Sequence, residues 1–216
     1  SNDRSTIATT LSEPVIAGRG RVGPRVTAIA RPDEFLGVAP DADIVSVKVG
    51  DNTGAVDVSQ VIAGIDWVIE HRDEGELDIR VLNLSYGTDS TQSSGRDPLA
   101  RAVERAWAAG IVVVAASGND GWNSATGGMT NPALDPYVIA VSAAQPKGDG
   151  FTIPKWASAG EYFSYDALGR KIPYWMPGFA GRLPDVVAPG ASIDSLRVPG
   201  SRIDVCLLYT SPSPRD

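Results

Sequence analysis

Residues 111–121 read IVVVAASGNDG, an apolar run that ends abruptly in small and polar residues. The run at 111–116 is typical of a strand buried on both faces of a parallel sheet. Ser117, Gly118 and Asn119 follow it directly, at the carboxyl end of the strand, where α/β folds place their ligands. An asparagine there can donate its side-chain N–H₂ to a developing negative charge. A Gly-Asn turn without chemistry is the alternative, and the motif alone favours neither.

Strand and helix patterns alternate on both sides of this motif. Ser59 can cap a helix with apolar residues at helical spacing, and Asp97-Pro98 begins a second helix that Gly110 closes. Short apolar runs typical of buried strands lie at residues 44–49, 79–84 and 137–144. This order predicts right-handed βαβ units, hence an α/β fold whose parallel sheet carries helices on both faces.

Composition excludes several classes of function. A chain of 216 residues suits one domain, and a formal charge of −7 argues against a nucleic-acid partner, which needs clustered Lys and Arg. No apolar run reaches the roughly 20 residues that span a bilayer. Cys206 and His71 are the only cysteine and histidine, so a metal cluster of these residues is not expected. We interpret His71 as a solvated residue at the polar end of the first helix.

Two other stretches leave alternatives open. Residues 18–23 fit the dinucleotide fingerprint G-x-G-x-x-G, but Pro24 and an extended-looking segment follow where a helix should begin. An NAD-dependent oxidoreductase is therefore only a remote alternative. Residues 145–183 are rich in Gly, Pro and aromatic residues. Their aromatics either pack an irregular excursion onto the domain or form a substrate platform, and the first interpretation is favoured.

Five segments, in order and at their spacing, resemble the subtilase family of serine peptidases over roughly residues 15–205. They are GVAPDA at 37–42, VLNLSYG at 81–87, the Ser-Gly-Asn loop, Asn131-Pro132 and DVVAPG at 185–190. The ordered set is specific, although no single segment is. The resemblance implies a subtilisin-like three-layer fold, here incomplete.

The resemblance also implies roles for individual residues. Asn119 matches the family's oxyanion-hole asparagine, and a cis peptide is expected between Asn131 and Pro132. Three short segments would bind the peptide or protein substrate. Two flank the pocket for one substrate side chain and the third lines the opposite side of the channel: Ser85, Tyr86 and Gly87; Ala116, Ser117 and Gly118; and Gly54, Ala55 and Val56. No cofactor is assigned, although family members commonly bind calcium, and the parent protein is expected to be secreted.

The sequence departs from the family in its catalytic triad. The aspartate motif is absent, and alignment puts the catalytic histidine on Ala8. Residues 1–14 are therefore expected to be doubtful or foreign. The serine motif should follow Pro189-Gly190, but residues 206–216 read CLLYTSPSPRD instead. One choice of codons for that tail gives a library-adapter sequence, so we interpret the tail as an artefact.

The resemblance thus implies a fragment of a serine endopeptidase that acts through an acyl-enzyme, inactive as given because the triad Asp, His and Ser are missing. A catalytically dead subtilase-like domain that only binds peptides is the main alternative. A weaker hypothesis assigns Asp120 to the pocket rim, where its carboxylate would favour a basic substrate side chain.

Overall fold

The structure is a computed structural model. It describes residues 6–9, 19–20, 35–36, 38–39, 41–50, 56–89, 92–121, 128–161, 163–174, 176–177 and 181–191. Gly54, Ala55 and the tail at 206–216 lie outside the described residues. Within these ranges, a search for apolar helices of membrane-spanning length finds none.

The described strands are numbered in chain order. They are β1 (Thr6–Thr9), β2 (Arg19–Gly20), β3 (Phe35–Leu36), β4 (Asp43–Ser46), β5 (Ile79–Leu84), β6 (Val112–Ala116), β7 (Ile139–Lys147), β8 (Gly150–Thr152), β9 (Phe163–Tyr165), β10 (Lys171–Pro173) and β11 (Val186–Pro189).

Six of these strands form one sheet in the order β11-β7-β6-β5-β1-β4, and every pairing along that order is parallel. The predicted parallel sheet is thus confirmed. The strand predicted at 79–84 has the expected bounds. That at 44–49 ends earlier, at Ser46, and that at 137–144 is displaced, starting at Ile139 and reaching Lys147 in an antiparallel pairing with β8.

Helix α1 (Val58–His71) is capped by Asp57 rather than by Ser59. The Asp57 carboxylate accepts the backbone N–H of Ser59 at 2.7 Å, and Gln60 Oε1 accepts the Asp57 N–H at 3.4 Å. The prediction that Ser59 caps the helix was therefore wrong. A carboxylate two residues earlier is the better acceptor, because it also complements the positive end of the helix dipole.

Helix α2 (Pro98–Ala108) has both predicted ends. Asp97 Oδ1 accepts the N–H groups of Leu99 and Ala100 at 2.9 and 3.1 Å, and Pro98 occupies the first turn. Gly110 follows the helix with φ of 85°, a conformation that glycine adopts without strain.

One apolar core joins the sheet to these two helices. Successive crossovers from β4 to β5 and from β5 to β6 run in the same direction, so right-handed connections place α1 and α2 on one face, where they pack together. The largest fully buried side chains of this core include Ile65, Val103 and Val113. Strand β1 lies between β4 and β5, and Ala8 is fully buried in it.

The aromatic stretch at 145–183 contributes short antiparallel pairs outside the parallel order. β8 pairs with the end of β7, and β9 pairs with β10. Trp156 is half-buried, whereas Tyr174 is 48% exposed. The two aromatic side chains Trp156 and Tyr174 therefore differ in how far they pack onto the domain.

Candidate active site

The carboxyl edge of the sheet brings together two of the segments predicted to bind substrate. Leu84 pairs with Ala115 where the β5–β6 ladder ends, so the chain leaves both strands side by side. Neighbouring parallel strands lie about 4.8 Å apart. The segments that leave are Ser85, Tyr86 and Gly87 from β5, and Ala116, Ser117 and Gly118 from β6. Their predicted adjacency is confirmed, while their contacts with substrate stay predictions.

Asn119 lies three residues after the end of β6, in a bend where it is exposed to solvent. This is the position expected for an oxyanion donor, because a buried or turn-capping amide could not reach a substrate. The adjacent Asp120 is also exposed. The chemical role of Asn119 stays a prediction, and its exposed position is compatible with that role.

Thr130 contacts both of these segments. Its N–H donates to the Ser117 carbonyl at 3.1 Å, and the Ser117 N–H donates to Val141 at 2.9 Å, which extends the β6–β7 pairing past the strand end. On the other side, the Thr130 side chain packs against Gly87. The next peptide bond, Asn131-Pro132, is cis as predicted.

Gly118 has a backbone that a larger residue would not tolerate. Its φ is 120°, and a Cβ at this position would lie 2.7 Å from the Gly128 carbonyl oxygen. Glycine alone combines this φ with so close an approach of two backbone segments. The backbone geometry therefore requires glycine at the central position of the Ser-Gly-Asn sequence.

Ser158 is a residue of this site that the sequence analysis missed. It is fully buried, and its carbonyl accepts the hydroxyls of Ser117 at 3.0 Å and Ser142 at 2.6 Å. Its own N–H donates to the Gly118 carbonyl at 3.1 Å. The available signal was a polar residue in the small-residue run Ala-Ser-Ala-Gly at 157–160, where a serine needs buried partners.

Tyr86 and Val56 are held partly in the core. Both side chains are half-buried against it, and Val56 forms an antiparallel bridge with Gly50. Burial raises the pKa of Tyr86, and the nearby Asp57 carboxylate adds to the effect. The Tyr86 hydroxyl therefore stays neutral at physiological pH, and the backbone of its segment is the part suited to contact a substrate.

His71 lies at the wrong edge of the sheet for catalysis. Helix α1 has 14 residues and so is about 21 Å long, running from the carboxyl end of β4 toward the amino end of β5. His71 ends this helix, stacks on Trp67 with ring centroids 4.4 Å apart, and contacts the Trp67 carbonyl through Nδ1 at 2.8 Å. It cannot act as a base beside Asn119. The predicted position of His71 at the helix end is confirmed, but its side chain is 31% exposed and stacked on Trp67 rather than fully solvated.

Metal and dinucleotide sites find no support in the part of the chain that the structure describes. No group of three or more His, Cys, Asp or Glu side chains is placed there to hold a metal. Calcium binding thus remains an expectation from the resemblance, without assigned ligands. Arg19–Gly20, inside the G-x-G-x-x-G pattern, pairs antiparallel with Phe35–Leu36. The fingerprint requires a strand of a parallel sheet leading into a helix, which this pairing does not provide.

Comparison with known proteins gives consistent matches. A model of the subtilase family, peptidase S8, matches residues 15–215. Serine protease AprX of Bacillus subtilis (strain 168) is 34% identical over 178 residues, 79% of this chain and 36% of AprX. Subtilisin NAT of Bacillus subtilis subsp. natto is 34% identical over 160 residues, 74% of this chain and 33% of its own. Minor extracellular protease Epr of Bacillus subtilis (strain 168) is 35% identical over 137 residues, 63% of this chain and 19% of Epr.

Solved structures share the fold. Sphericase has a TM-score of 0.58 at 22% identity, covering 88% of this chain and 67% of that one. The S41 psychrophilic protease has a TM-score of 0.58 at 20% identity, covering 90% and 71%. The chain spans about a third of the length of the relatives AprX and subtilisin NAT. Because the family model matches far more than half of the sequence, and the predicted sheet edge carries the expected segments, the chain belongs to the subtilase family.

Proposed function

We propose that this chain is the substrate-binding part of a serine endopeptidase domain. The observation that carries the proposal is the exposed Asn119 beside two segments that leave adjacent parallel strands. An extended peptide laid along these segments would place one side chain between them. Its scissile carbonyl would then lie within reach of the Asn119 amide.

Asn119 would act on the charge that develops during acyl transfer. When a nucleophile attacks the carbonyl, the oxygen gains negative charge, and a fixed N–H donor stabilises that charge more than the ground-state carbonyl. The donor needs no proton transfer of its own. It must only be held in place before the reaction begins.

The same residues imply that the chain alone does not hydrolyse peptides. Its only histidine is His71, which lies at the opposite edge of the sheet. The Ser117 hydroxyl is buried and donates to the Ser158 carbonyl. Without a serine–histidine pair at the edge, no acyl-enzyme can form. The parent protein would supply the triad. We expect it to be secreted, and the name of the relative Epr, minor extracellular protease, supports this expectation.

Two measurements on the purified chain test the proposal. A fluorogenic peptide should not be turned over, whereas AprX assayed in parallel should cleave it. The same peptide, unlabelled and added to ¹⁵N-labelled protein, should shift the Asn119 side-chain amide and the backbone amides at 85–87 and 116–118. Turnover blocked by a serine-directed phosphonate would contradict the predicted inactivity. Absence of shifts at this edge would contradict substrate binding.

A catalytically dead domain that only binds peptides would show the same shifts. The sequence of the gene must therefore distinguish this alternative from an endopeptidase. Reading the locus past Val205 should reveal a Gly-Thr-Ser motif if the parent is an endopeptidase, and a sequence without it if the domain is catalytically dead. Genomic codons for CLLYTSPSPRD would contradict the artefact interpretation. Titration with NADH, followed by its fluorescence, should show no binding. Saturable binding would favour the oxidoreductase instead.

A further inference from the structure

We call residues 117–121 the Asn119 loop. Every polar atom of Ser158 takes part in a hydrogen bond that connects this loop to the rest of the domain. Its hydroxyl donates to the Gly128 carbonyl at 2.5 Å and accepts the Asp120 N–H at 3.3 Å. Its N–H donates to the Gly118 carbonyl at 3.1 Å. The Ser158 side chain is completely buried, so these contacts are shielded from water.

These hydrogen bonds hold the residues on both sides of Asn119. Gly118 precedes it and Asp120 follows it, and both are bonded to Ser158. The Asn119 side chain itself is exposed at the edge. Its backbone position is therefore set by Ser158, 39 positions further along the sequence, as well as by β6 and by the Gly121 N–H, which donates to the Trp156 carbonyl at 2.9 Å.

The loop needs such an anchor. Gly118 and Gly121 have φ of 120° and 66°, and glycine populates many backbone conformations at little cost. A segment with glycine on both sides of Asn119 has little intrinsic preference for one geometry. A donor that stabilises a transition state must stay within about 0.5 Å of its productive position.

We propose that Ser158 is the positioning residue of the Asn119 loop, and that its hydroxyl fixes the backbone from which the oxyanion donor projects. Only the role of Asn119 as an oxyanion donor rests on the proposed function. The anchoring itself follows from the hydrogen bonds. Replacing the hydroxyl by hydrogen leaves the Gly128 carbonyl and the Asp120 N–H without this partner, while the backbone bonds of residue 158 persist.

The test compares Ser158→Ala with Ser142→Ala in the chain as it exists. Ser142 is also buried, and its hydroxyl donates to the same Ser158 carbonyl, but among the described residues no hydrogen bond joins that hydroxyl to Gly118, Asn119 or Asp120. The two variants lose the same group from the same region. Ser158→Thr, which retains a hydroxyl, serves as the conservative variant, and urea unfolding verifies that each protein is folded.

Site-resolved amide hydrogen exchange is the primary measurement. In Ser158→Ala we expect the Asp120 amide to exchange about tenfold faster, the effect of losing one hydrogen bond, while β5 and β6 amides change little. Ser158→Thr should restore the original rate, and Ser142→Ala should not accelerate Asp120 selectively. Equal acceleration in the two alanine variants would overturn the positioning role. If Ser158→Thr does not fold, the two alanine variants still decide.

Peptide titration separates this proposal from the proposed function. If both hold, Ser158→Ala weakens the peptide-induced shift of the Asn119 side-chain amide, and Ser142→Ala leaves it unchanged. Selective loosening of Asp120 without peptide binding to any variant would support the anchor and overturn the function. Peptide binding with unchanged Asp120 exchange in Ser158→Ala would overturn the anchor and retain the function.

Discussion

The backbone of Gly87 packs against the side chain of Thr130. A Cβ on Gly87 would overlap the Thr130 hydroxyl and lie 2.9 Å from the Thr130 Cβ. Thr130 is buried, and the neighbouring Thr88 and Asn131 exchange two backbone hydrogen bonds, so neither chain segment can move apart freely. The close approach fixes one side of the candidate substrate slot.

Gly87→Ala should therefore destabilise the chain. Overpacking in a core costs about 1–3 kcal/mol. Because Thr130 is buried but Gly87 is exposed, we expect a loss near the lower end of this range in the free energy of unfolding in urea. Gly95→Ala is the control, because a Cβ on Gly95 meets nothing within 4 Å. Thr130→Gly should relieve the overlap in the double variant. Equal stability of the two single variants would contradict the packing argument.

The Asp135 carboxyl should make stability depend on pH. Burial raises its pKa, and the negative charge of Glu104 adds to the effect, while its bond from the Tyr137 N–H and the positive charge of Arg182 oppose it. Below the unfolded-state pKa of about 3.9 the group is protonated in both states and contributes nothing. As the pH rises toward and through the raised folded-state pKa, the unfolded chain ionises more readily, so stability is lost.

Asp135→Asn should remove this loss. The asparagine Oδ1 can still accept the Tyr137 N–H, which lies 2.9 Å from the present carboxyl oxygen. We expect the variant to gain stability over the parent chain as the pH rises above about 4 in urea titrations. Asp149→Asn, an exposed substitution with the same change of charge, should follow the parent. Parallel pH profiles for Asp135→Asn and the parent would contradict the prediction.

Arg182 joins the start of β11 to the start of β7, and its loss should be costly. Its guanidinium bonds both Asp185 carboxyl oxygens, at 2.9 and 2.6 Å, and the Val138 carbonyl at 2.8 Å. Arg182→Ala should lower the free energy of unfolding by about 1.5–3 kcal/mol, the range for hydrogen bonds to charged groups. Arg182→Lys should not recover it, because a single ammonium cannot bond a carboxylate in two places.

Arg170→Ala provides the matched control. Arg170 pairs with Asp166 at 2.6 Å, but its side chain is 75% exposed, so solvent screens the pair. Its removal should change stability much less than Arg182→Ala does. A comparable loss in the two variants, or full recovery in Arg182→Lys, would show that the bidentate contact is not what stabilises this end of the sheet.

Local pattern was enough to predict much of the fold. The buried strand at Ile79–Leu84, the helix between Asp97 and Gly110, and the exposure of Asn119 follow from apolar runs, capping residues and the end of a strand. Each depends on residues close together in sequence. The choice of Asp57 over Ser59 as cap was missed because both are good caps and only the helix start distinguishes them.

The parts that were missed depend on distant contacts. Ser158 bonds residues about 40 positions away, and nothing in its neighbours reveals those partners. Thr6–Thr9 is too short to be assigned as a strand from pattern, yet it pairs with β4 and β5 on either side. Such residues acquire their roles from the assembled sheet, so single-sequence reasoning gives at most their polarity and size.

In the complete endopeptidase that we propose, Asp120 should favour basic substrate side chains. Its carboxylate is exposed beside Asn119, and an attraction at the surface is worth up to about 1 kcal/mol, or roughly fivefold. Asp120→Asn should lower the ratio of kcat/KM for Lys over Phe substrates by about that factor, and added salt should do the same in the parent enzyme. A ratio unchanged by both would contradict a rim position.

Asn119→Ala tests the central assignment in the same proposed endopeptidase. The amide is exposed at the edge and is proposed to meet negative charge only as the carbonyl is attacked, so its loss should lower kcat and leave KM nearly unchanged. The expected loss is about 10²–10³-fold in kcat, a magnitude taken from subtilisin, the family's namesake, rather than from this structure. Asp120→Asn controls for disturbance of the loop, since it alters the next side chain without removing the donor. A rise in KM at constant kcat would instead make Asn119 a ground-state binding residue, and it would remove the reason for Ser158 to hold this loop so closely.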